Sequence, residues 1–149
     1  MSIRTGIVIE THGGPEALRV RALPAIAPAP GEVRVRVTHV ALNHLDLWVR
    51  NGVPGHDFHL PRVPGSDVAG VLLDPAESLV GPLPAGTPVV LHPSWGCGTC
   101  PACLRGAQDR CRRFRIRGEN TDGGCVTEVA VPAWQVLPIP AGLSPAEAA

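Results

Sequence analysis

Four of the five cysteines lie in one short segment, which reads W-G-C-G-T-C-P-A-C-L-R-G-A-Q-D-R-C from residue 95. They are Cys97, Cys100, Cys103 and Cys111, with the spacing C-x2-C-x2-C-x7-C. Disulfides between cysteines only two residues apart would close very small and strained loops. Four thiolates around one tetrahedral zinc ion instead need tight turns, which the intervening glycines and Pro101 allow. The segment therefore predicts a structural zinc site rather than disulfides.

A zinc ion held by four cysteines has a closed coordination shell, with no position left for water or substrate. Arginines surround the fourth cysteine, at positions 105, 110, 112, 113, 115 and 117. Their guanidinium groups would offset the negative charge of a zinc ion bound by four thiolates. The fifth cysteine, Cys125, is predicted to be a small buried apolar side chain rather than a reactive thiol. The chemistry of the protein must therefore lie outside the cysteine segment.

The composition argues against several classes of protein. The chain has 149 residues, which is one domain's worth, and 44% of them are hydrophobic, enough for a core. Thirteen basic and thirteen acidic residues give no net charge, which argues against a nucleic-acid partner. The start M-S-I-R-T-G-I-V-I-E lacks signal-peptide features, and no apolar run reaches the roughly 20 residues of a membrane span. We therefore expect a cytoplasmic protein without a membrane partner, in a compartment where clustered cysteines bind metal.

Short alternating patterns predict the strands that would position the cysteine segment. The clearest pattern runs from Glu32 to Leu42, where Val33 and Val35 alternate with arginines. Further strands are predicted at residues 3–9, 17–23, 65–73, 89–91, 123–131 and 134–139. Residues 74–88 are predicted to form turns, and the cysteine lobe is placed at 93–117. Many short strands separated by turns predict a mainly β fold, a compact and mostly antiparallel barrel.

One early segment, N-H-L-D-L-W-V-R-N-G from residue 43, predicts a helix. Asn43 is a favourable N-cap, and Asp46 stands three residues later, where its side chain can bond back to the cap. Gly52 can end the helix in a left-handed conformation. A second helix is predicted to begin at Ser144, followed by Pro145. The predicted fold is therefore mainly β, with short helices and a metal lobe.

Several sequence blocks, taken in their order, indicate a family relationship. The blocks are G-G-P-E-A-L, P-G-E-V-R-V-R-V, A-L-N-H-L-D-L-W-V-R-N-G, P-G-S-D-V-A-G-V, the four-cysteine segment and I-R-G-E-N-T-D-G-G. Together they resemble the N-terminal catalytic domain of the medium-chain dehydrogenase/reductase superfamily over nearly the whole chain. The resemblance implies a GroES-like fold, a partly open β-barrel with a short helix and a structural zinc lobe. It is closest to bacterial zinc-type alcohol dehydrogenases and quinone oxidoreductases, and it makes the four cysteines structural zinc ligands.

Two positions depart from the zinc-type members of this family. Those members bind a second, catalytic zinc through a cysteine where this chain has Asn43 and a histidine where it has Ser66. The hydroxyl of their proton relay corresponds to Leu45. Amide and hydroxyl groups are poor zinc ligands compared with thiolate and imidazole. The resemblance therefore implies no catalytic zinc, and the N-x-x-D pattern from Asn43 to Asp46 is similar to the quinone oxidoreductase branch.

The resemblance also implies roles for four residues of the chain. Asn43 and Asp46 would orient the nicotinamide ring or a substrate carbonyl, although a helix cap alone also explains both residues. Ser66 would donate a hydrogen bond to a substrate oxygen, and a turn cap after Gly65 explains it equally well. His44 would lie near the cofactor pyrophosphate, or it is an ordinary surface histidine. Both interpretations of each residue stay open at this point.

No G-x-G-x-x-G motif follows a predicted strand, so the chain is expected to lack the Rossmann domain that binds the cofactor in this family. We expect residues 1–149 to form one GroES-like domain, the substrate and catalytic domain of an NAD(P)-dependent oxidoreductase. Its substrates would be small alcohols, carbonyl compounds or quinone-like molecules, and NAD(P) would bind only where a Rossmann domain is present. The isolated domain would be inactive and would expose apolar surface at its cleft, which favours homo-oligomers.

A second hypothesis belongs to a different functional class. The chain could be a non-enzymatic, zinc-stabilised β-barrel, either an interaction module or a truncated gene product. The two hypotheses share the fold and the zinc site. They differ in whether a cofactor-binding domain accompanies the chain.

Overall fold

A computed structural model describes residues 3–149 and confirms a mainly β fold. The strands are β1 (Arg4–Ile9), β2 (Leu18–Leu23), β3 (Glu32–Ala41), β4 (Asp67–Leu72), β5 (Ala76–Ser78), β6 (Gly81–Leu83), β7 (Pro88–Leu91), β8 (Ser94–Trp95), β9 (Arg115–Ile116), β10 (Glu128–Pro132) and β11 (Val136–Pro138). The α-helices are α1 (His44–Asn51), α2 (Pro101–Leu104) and α3 (Pro145–Ala148), and short 3₁₀ helices lie at Pro15–Ala17, Gln108–Arg110 and Ala133–Gln135. None of the helices in this described part of the chain is long and apolar enough to cross a membrane.

A five-stranded antiparallel sheet forms the body of the domain, in the order β10–β3–β4–β7–β11. A register shift between Val37 and His39 interrupts the pairing of β3 with β4, and such an irregularity bends a long strand. The β1–β2 hairpin lies against one end of this sheet, where the Ile7 N–H donates to the Cys125 carbonyl at 2.8 Å. The sheet therefore curls into a partly open barrel, as the sequence predicts.

Valines build most of the core of this barrel. On β3, Val33 and Val35 are buried and alternate with the more exposed Arg34 and Arg36, which confirms the predicted pattern. Buried side chains from the other strands complete the same cluster: Val68, Leu72, Val89, Leu91, Val129, Val131 and Val136. Each such side chain stabilises the fold by about 1.5–3 kcal/mol relative to leaving it exposed. Aliphatic packing thus supplies most of the core, beside the buried polar side chains of Arg117 and Gln135.

Helix α1 begins after Asn43 and ends at Gly52, as the sequence predicts. The Asp46 carboxylate accepts the Asn43 backbone N–H at 2.8 Å, and Gly52 has a φ of 79°. One side of the helix buries Val49 against strand β1 and the ring of Phe58. This packing fixes the start of α1 beside the end of β3 that precedes it.

The sequence does not predict the β5–β6 hairpin, which lies where turns are expected, at residues 74–88. Its strands have three residues each, too few for a period-two pattern to be visible. The two-residue strands β8 and β9, which pair at the base of the cysteine lobe, are missed for the same reason. The strand predicted at residues 134–139 begins with a 3₁₀ turn and is extended only over β11.

The strand predicted at residues 123–131 starts only at Glu128. Its first residues instead cross the loop that precedes β4, where the Gly123 N–H donates to the Val63 carbonyl at 2.7 Å. A Cβ atom on Gly123 would lie 2.2 Å from the Pro64 carbonyl oxygen, so any side chain would collide there. Glycine permits this close approach of two backbones, and the ladder begins only beyond it.

Replacing Gly123 with alanine tests this crossing. The new methyl group would collide with backbone, so we expect the free energy of unfolding to fall by about 1–3 kcal/mol or more. Gly13→Ala is the matched control, because the nearest atom to its Cβ is the flexible Glu16 Oε1 at 3.3 Å. The control should stay within about 0.5 kcal/mol of the unmodified protein. Urea unfolding followed by circular dichroism measures both variants, and equal stabilities would contradict the crossing.

Candidate metal centre and adjoining cleft

The lobe between β8 and β9 brings the four cysteine sulfurs together. Pairing of Ser94 with Ile116 closes the base of the lobe. Cys103 lies on α2, and the other three cysteines lie on the turns around it. All four Sγ atoms lie within 4.8 Å of one another. The Sγ of Cys103 is 3.6 Å from that of Cys100 and 4.0 Å from that of Cys97.

These separations fit a tetrahedral zinc ion. Zinc–sulfur bonds of about 2.3 Å give sulfur–sulfur edges of about 3.8 Å in a regular tetrahedron. All five cysteines are free thiols, so no disulfide competes for the four sulfurs. Within residues 3–149, these cysteines are the one group of three or more His, Cys, Asp or Glu side chains whose ligand atoms are drawn together. The lobe can therefore hold one structural zinc, as predicted.

Hydrogen bonds from nearby groups reach two of the four cysteine sulfurs. The N–H groups of Cys97 and Arg113 both donate to the Cys111 Sγ, each at 3.3 Å. Hydrogen bonds from the Thr99 backbone N–H, the Thr99 hydroxyl and the Arg113 guanidinium lower the pKa of the Cys97 thiol to about 5. Burial raises the pKa of Cys103 to about 11. A bound dication would favour the thiolate form of every cysteine in the set.

Five of the six arginines of this region are exposed, and Arg117 is buried. Arg110, Arg112 and Arg113 are exposed and line the same cavity as the cysteines, where they can offset thiolate charge as predicted. Arg117 departs from that prediction. It is only 4% exposed, and its Nη2 donates to the Gln135 Oε1 at 2.7 Å inside the barrel. Arg117 lies just beyond β9, where its N–H donates to the Pro93 carbonyl at 2.8 Å, and its side chain enters the barrel there.

A cavity of about 430 Å³, which we call the cleft, lies between the lobe and the start of α1. Residues from four parts of the chain line it, among them Asn43, His44, Ser66, Asp67, Ser94, Phe114 and Ile116. The structure thus brings together three of the four predicted site residues, Asn43, His44 and Ser66. The fourth, Asp46, does not line the cleft.

Neighbouring groups engage both Asn43 and Ser66. The Asn43 Nδ2 donates to the Asp67 Oδ2 at 2.8 Å. The Ser66 hydroxyl is buried and donates to the Arg117 carbonyl at 2.7 Å. The proton that the resemblance assigns to a substrate oxygen is therefore held by a backbone carbonyl, and the Ser66 oxygen is left as an acceptor. Asn43 retains a second amide hydrogen, because a side-chain amide carries two.

Asp46 is buried and uses both carboxylate oxygens. Its Oδ2 accepts the Asn43 backbone N–H, and its Oδ1 accepts the Gly65 backbone N–H at 2.7 Å. The first bond belongs to the helix cap that the sequence predicts. The second ties the start of α1 to the loop before β4, and no local pattern reveals it because Gly65 is 19 residues away.

His44 is exposed on the first turn of α1 and lines two cavities. The second cavity has a volume of about 440 Å³ and a mostly apolar wall. That wall includes Ile7, Leu18, Leu42 and Leu47. Leu42 and Leu47 are 80% and 45% exposed. Apolar surface of this kind beside a cleft is typical of a face that another unit covers.

The sequence does not reveal that the lobe supplies a wall of the cleft. Phe114 and Ile116 stand far along the chain from Asn43 and carry no reactive group. The available signal is the change of face between Ile116, the last residue of β9, and Arg117, which follows it. That signal spans too few residues to assign a face from sequence alone.

Comparison with known proteins places this geometry among dehydrogenases. Residues 29–141 match the family described as the alcohol dehydrogenase GroES-like domain. The chain is 32% identical over 119 residues to 2-dehydro-3-deoxy-L-galactonate 5-dehydrogenase of Pseudoalteromonas atlantica, covering 80% of this chain and 35% of that protein. It spans roughly a third of the length of the curated relatives that it matches.

Two solved structures are similar over almost the whole chain. A structure of an NAD-dependent alcohol dehydrogenase superposes with a TM-score of 0.82 at 41% identity, covering 94% of this chain and 40% of that one. A cobalt- and zinc-bound thermostable alcohol dehydrogenase from Pyrobaculum aerophilum gives a TM-score of 0.76 at 31% identity, covering 92% and 41%. Neither is described as a quinone oxidoreductase, so similarity to that branch stays a prediction.

Metal analysis of the purified protein should find about one zinc ion per chain, because one tetrahedral set of thiolates is present. Cys103→Ser should lose the zinc and the ordered lobe, since a site of this kind stabilises its fold by on the order of 10 kcal/mol. Cys125→Ser should keep the metal, because Cys125 lies outside the lobe. Mass spectrometry of the metal content and thermal melting compare the variants. Two zinc ions per chain would refute the interpretation of Asn43 and Ser66 as residues that do not bind metal.

Replacing Asp46 with alanine tests whether this buried carboxylate positions the site. Two backbone N–H groups would lose a charged acceptor, so we expect a loss of about 3 kcal/mol or more in unfolding free energy. Asp46→Asn keeps one acceptor oxygen and should lose less. Asp57→Ala is the control, because the Asp57 side chain is 80% exposed. This substitution should change the unfolding free energy by no more than about 0.5 kcal/mol. Urea unfolding measures all three, and a loss below about 1 kcal/mol for Asp46→Ala would contradict the positioning role.

Proposed function

Because the chain belongs to the alcohol dehydrogenase GroES-like domain family, we propose that it is the substrate-binding, catalytic domain of an NAD(P)-dependent oxidoreductase. The enzyme would transfer hydride between the nicotinamide and a small alcohol or carbonyl compound. The observation that carries this proposal is the family match over residues 29–141. Superposition on an NAD-dependent alcohol dehydrogenase supports it. The strands of residues 3–149 pair antiparallel, so the Rossmann domain would come from another segment or another chain.

The zinc in the cysteine lobe would have a structural role in this enzyme. All four ligands are protein thiolates, so the metal offers no open position to a substrate. The zinc would affect catalysis only through the shape of the cleft, because Phe114 and Ile116 of the lobe form one wall of it. Loss of the metal is therefore expected to disturb the cleft as well as the lobe.

We assign Asn43 the part of hydrogen-bond donor to the reacting oxygen of the substrate. Asp67 holds one of its amide hydrogens at 2.8 Å and thereby fixes the orientation of the amide. The second hydrogen is available to an oxygen that enters the cleft. A fixed donor beside a carbonyl oxygen stabilises the negative charge that develops there during hydride transfer. Ser66, whose proton is held by the Arg117 carbonyl, would accept rather than donate.

The remaining predicted residues support this arrangement. His44 is exposed next to the N-terminus of α1, a position suited to the phosphate groups of a nicotinamide cofactor. Asp46 would position Asn43 and the loop before β4 without touching the substrate. Asp67 gives the cleft a half-buried carboxylate that can accept a hydrogen bond from a substrate hydroxyl group.

The exposed apolar wall around Leu42 and Leu47 is the surface we propose for contact with the cofactor domain. Where that domain is absent, the same wall would favour association of the chain with copies of itself. No observation on residues 3–149 favours the alternative of a non-enzymatic interaction module, whereas the family match favours an oxidoreductase. The cytoplasmic location stays a prediction.

Residues 1–149 alone should show no oxidation of NAD(P)H with aldehydes and no reduction of NAD(P)+ with alcohols or polyols. Joining them to the cofactor-binding part of the Pyrobaculum aerophilum relative should restore turnover, because both halves of the cleft are then present. Spectrophotometry at 340 nm measures both proteins. A folded, zinc-containing chimera that is inactive on a broad alcohol and aldehyde panel, while the parent enzyme is active, would contradict the proposed function.

In the active chimera, Asn43→Ala should lower kcat/KM by about 100-fold or more, as expected for removal of one donor to a developing oxyanion. Asn51→Ala, at the exposed end of α1, is the matched control and should leave kcat/KM unchanged. Thermal melting of both variants separates a loss of the helix cap from a loss of the donor. Unchanged kcat/KM in Asn43→Ala would remove the assigned role.

A further inference from the structure

One buried cation of the barrel has no acidic partner. The Arg117 side chain is almost fully buried, with 4% of the residue exposed. It takes part in none of the ion pairs that the structure forms among residues 3–149. Burial lowers the pKa of Arg117 to about 10, which still leaves it protonated at neutral pH. Buried charges in proteins are normally paired, so this guanidinium is an exception that calls for a partner.

The contacts of this guanidinium leave hydrogen-bond donors unused. Its Nη2 donates to the Gln135 Oε1 at 2.7 Å, and the Trp95 ring lies 5.7 Å from its central carbon. The Nε of Arg117 is buried and has no partner. Gln135 is fully buried, and its Nε2 also has no partner. The two unused donors therefore belong to side chains that are in direct contact with each other.

The carboxylate of Glu32 does not neutralise the buried charge of Arg117. Glu32 acts on Arg117 through its charge, but it forms no ion pair with it, and its Oε2 accepts the Ala29 backbone N–H at 2.9 Å. A water molecule would satisfy the donors and leave the positive charge uncompensated. A small anion would satisfy the donors and the charge together, since an anion is an acceptor in every direction.

We propose that Arg117 and Gln135 form a binding site for a small monovalent anion of the chloride class. The anion would accept hydrogen bonds from the Arg117 Nε and the Gln135 Nε2, while the Trp95 ring covers the guanidinium face. Such a ligand would stabilise the chain at the end of β9, beside the cleft. The Arg117 N–H donates to the Pro93 carbonyl at 2.8 Å, and its own carbonyl holds the Ser66 hydroxyl.

Thermal unfolding in two sodium salts tests this site. Zinc-loaded protein is transferred to sodium gluconate, and chloride then replaces gluconate at constant ionic strength, up to about 100 mM. A site with a Kd of about 1 mM would raise Tm by on the order of 10 °C. Arg117→Leu should show no chloride-dependent rise. Arg19→Leu removes an exposed arginine of β2 and should keep the full rise. Gln135→Met keeps the charge but removes one donor, so its rise should require more chloride.

Each outcome decides for or against the proposal. Equal Tm values for the unmodified protein in both salts would overturn it and leave water as the partner of the two donors. A chloride-dependent rise that persists in Arg117→Leu would also overturn it, because the anion would then bind elsewhere. If Arg117→Leu does not fold, crystals of the unmodified protein grown in sodium bromide decide. An anomalous bromide peak between Arg117 and Gln135 supports the site, and its absence there refutes it.

Discussion

The arrangement of the cleft depends on two loops that meet backbone to backbone. The Gly124 N–H donates to the Gly65 carbonyl at 2.8 Å, next to the bond between Gly123 and Val63. The same Gly65 donates its own N–H to the Asp46 carboxylate. Three separate segments, the start of α1, the loop before β4 and the glycine-rich approach to β10, are therefore fixed to one another within a few ångströms. Asn43, His44, Ser66 and Asp67 belong to or directly follow the first two of these segments, so their positions in the cleft depend on this contact.

The metal centre and the cleft are separate sites joined by the two short paired strands β8 and β9. Beyond Cys111 the chain enters β9, where Ile116 faces the cleft, and the side chain of the next residue, Arg117, enters the barrel. The Arg117 carbonyl then holds Ser66 on the opposite wall. A change in the lobe would reach the cleft through β9 and through its partner β8, whose Ser94 also lines the cleft. The four-cysteine motif thus affects the cleft only through the positions of the strands that it anchors.

The parts of the fold that the sequence predicts are those encoded within a few residues. Cysteine spacing, the alternation along β3 and the cap and Gly52 end of α1 are local patterns, and the structure confirms them. The bond from Asp46 to Gly65 and the burial of Arg117 depend on contacts between distant segments, which no local pattern contains. The hairpin β5–β6 is missed for a different reason, since strands of three residues carry too little periodicity.

The polar groups of the cleft indicate how hydrogen bonds would serve the proposed chemistry. Asn43 is held twice, through its backbone N–H by Asp46 and through its amide by Asp67. A donor fixed in this way loses little freedom when it binds a substrate oxygen, so more of its interaction is available to the transition state. Ser66 is fixed by the Arg117 carbonyl in the same manner. The side chains at the two positions where the resemblance places catalytic zinc ligands thus already form hydrogen bonds, and preorganised polarity is the means of carbonyl activation that we propose for these residues.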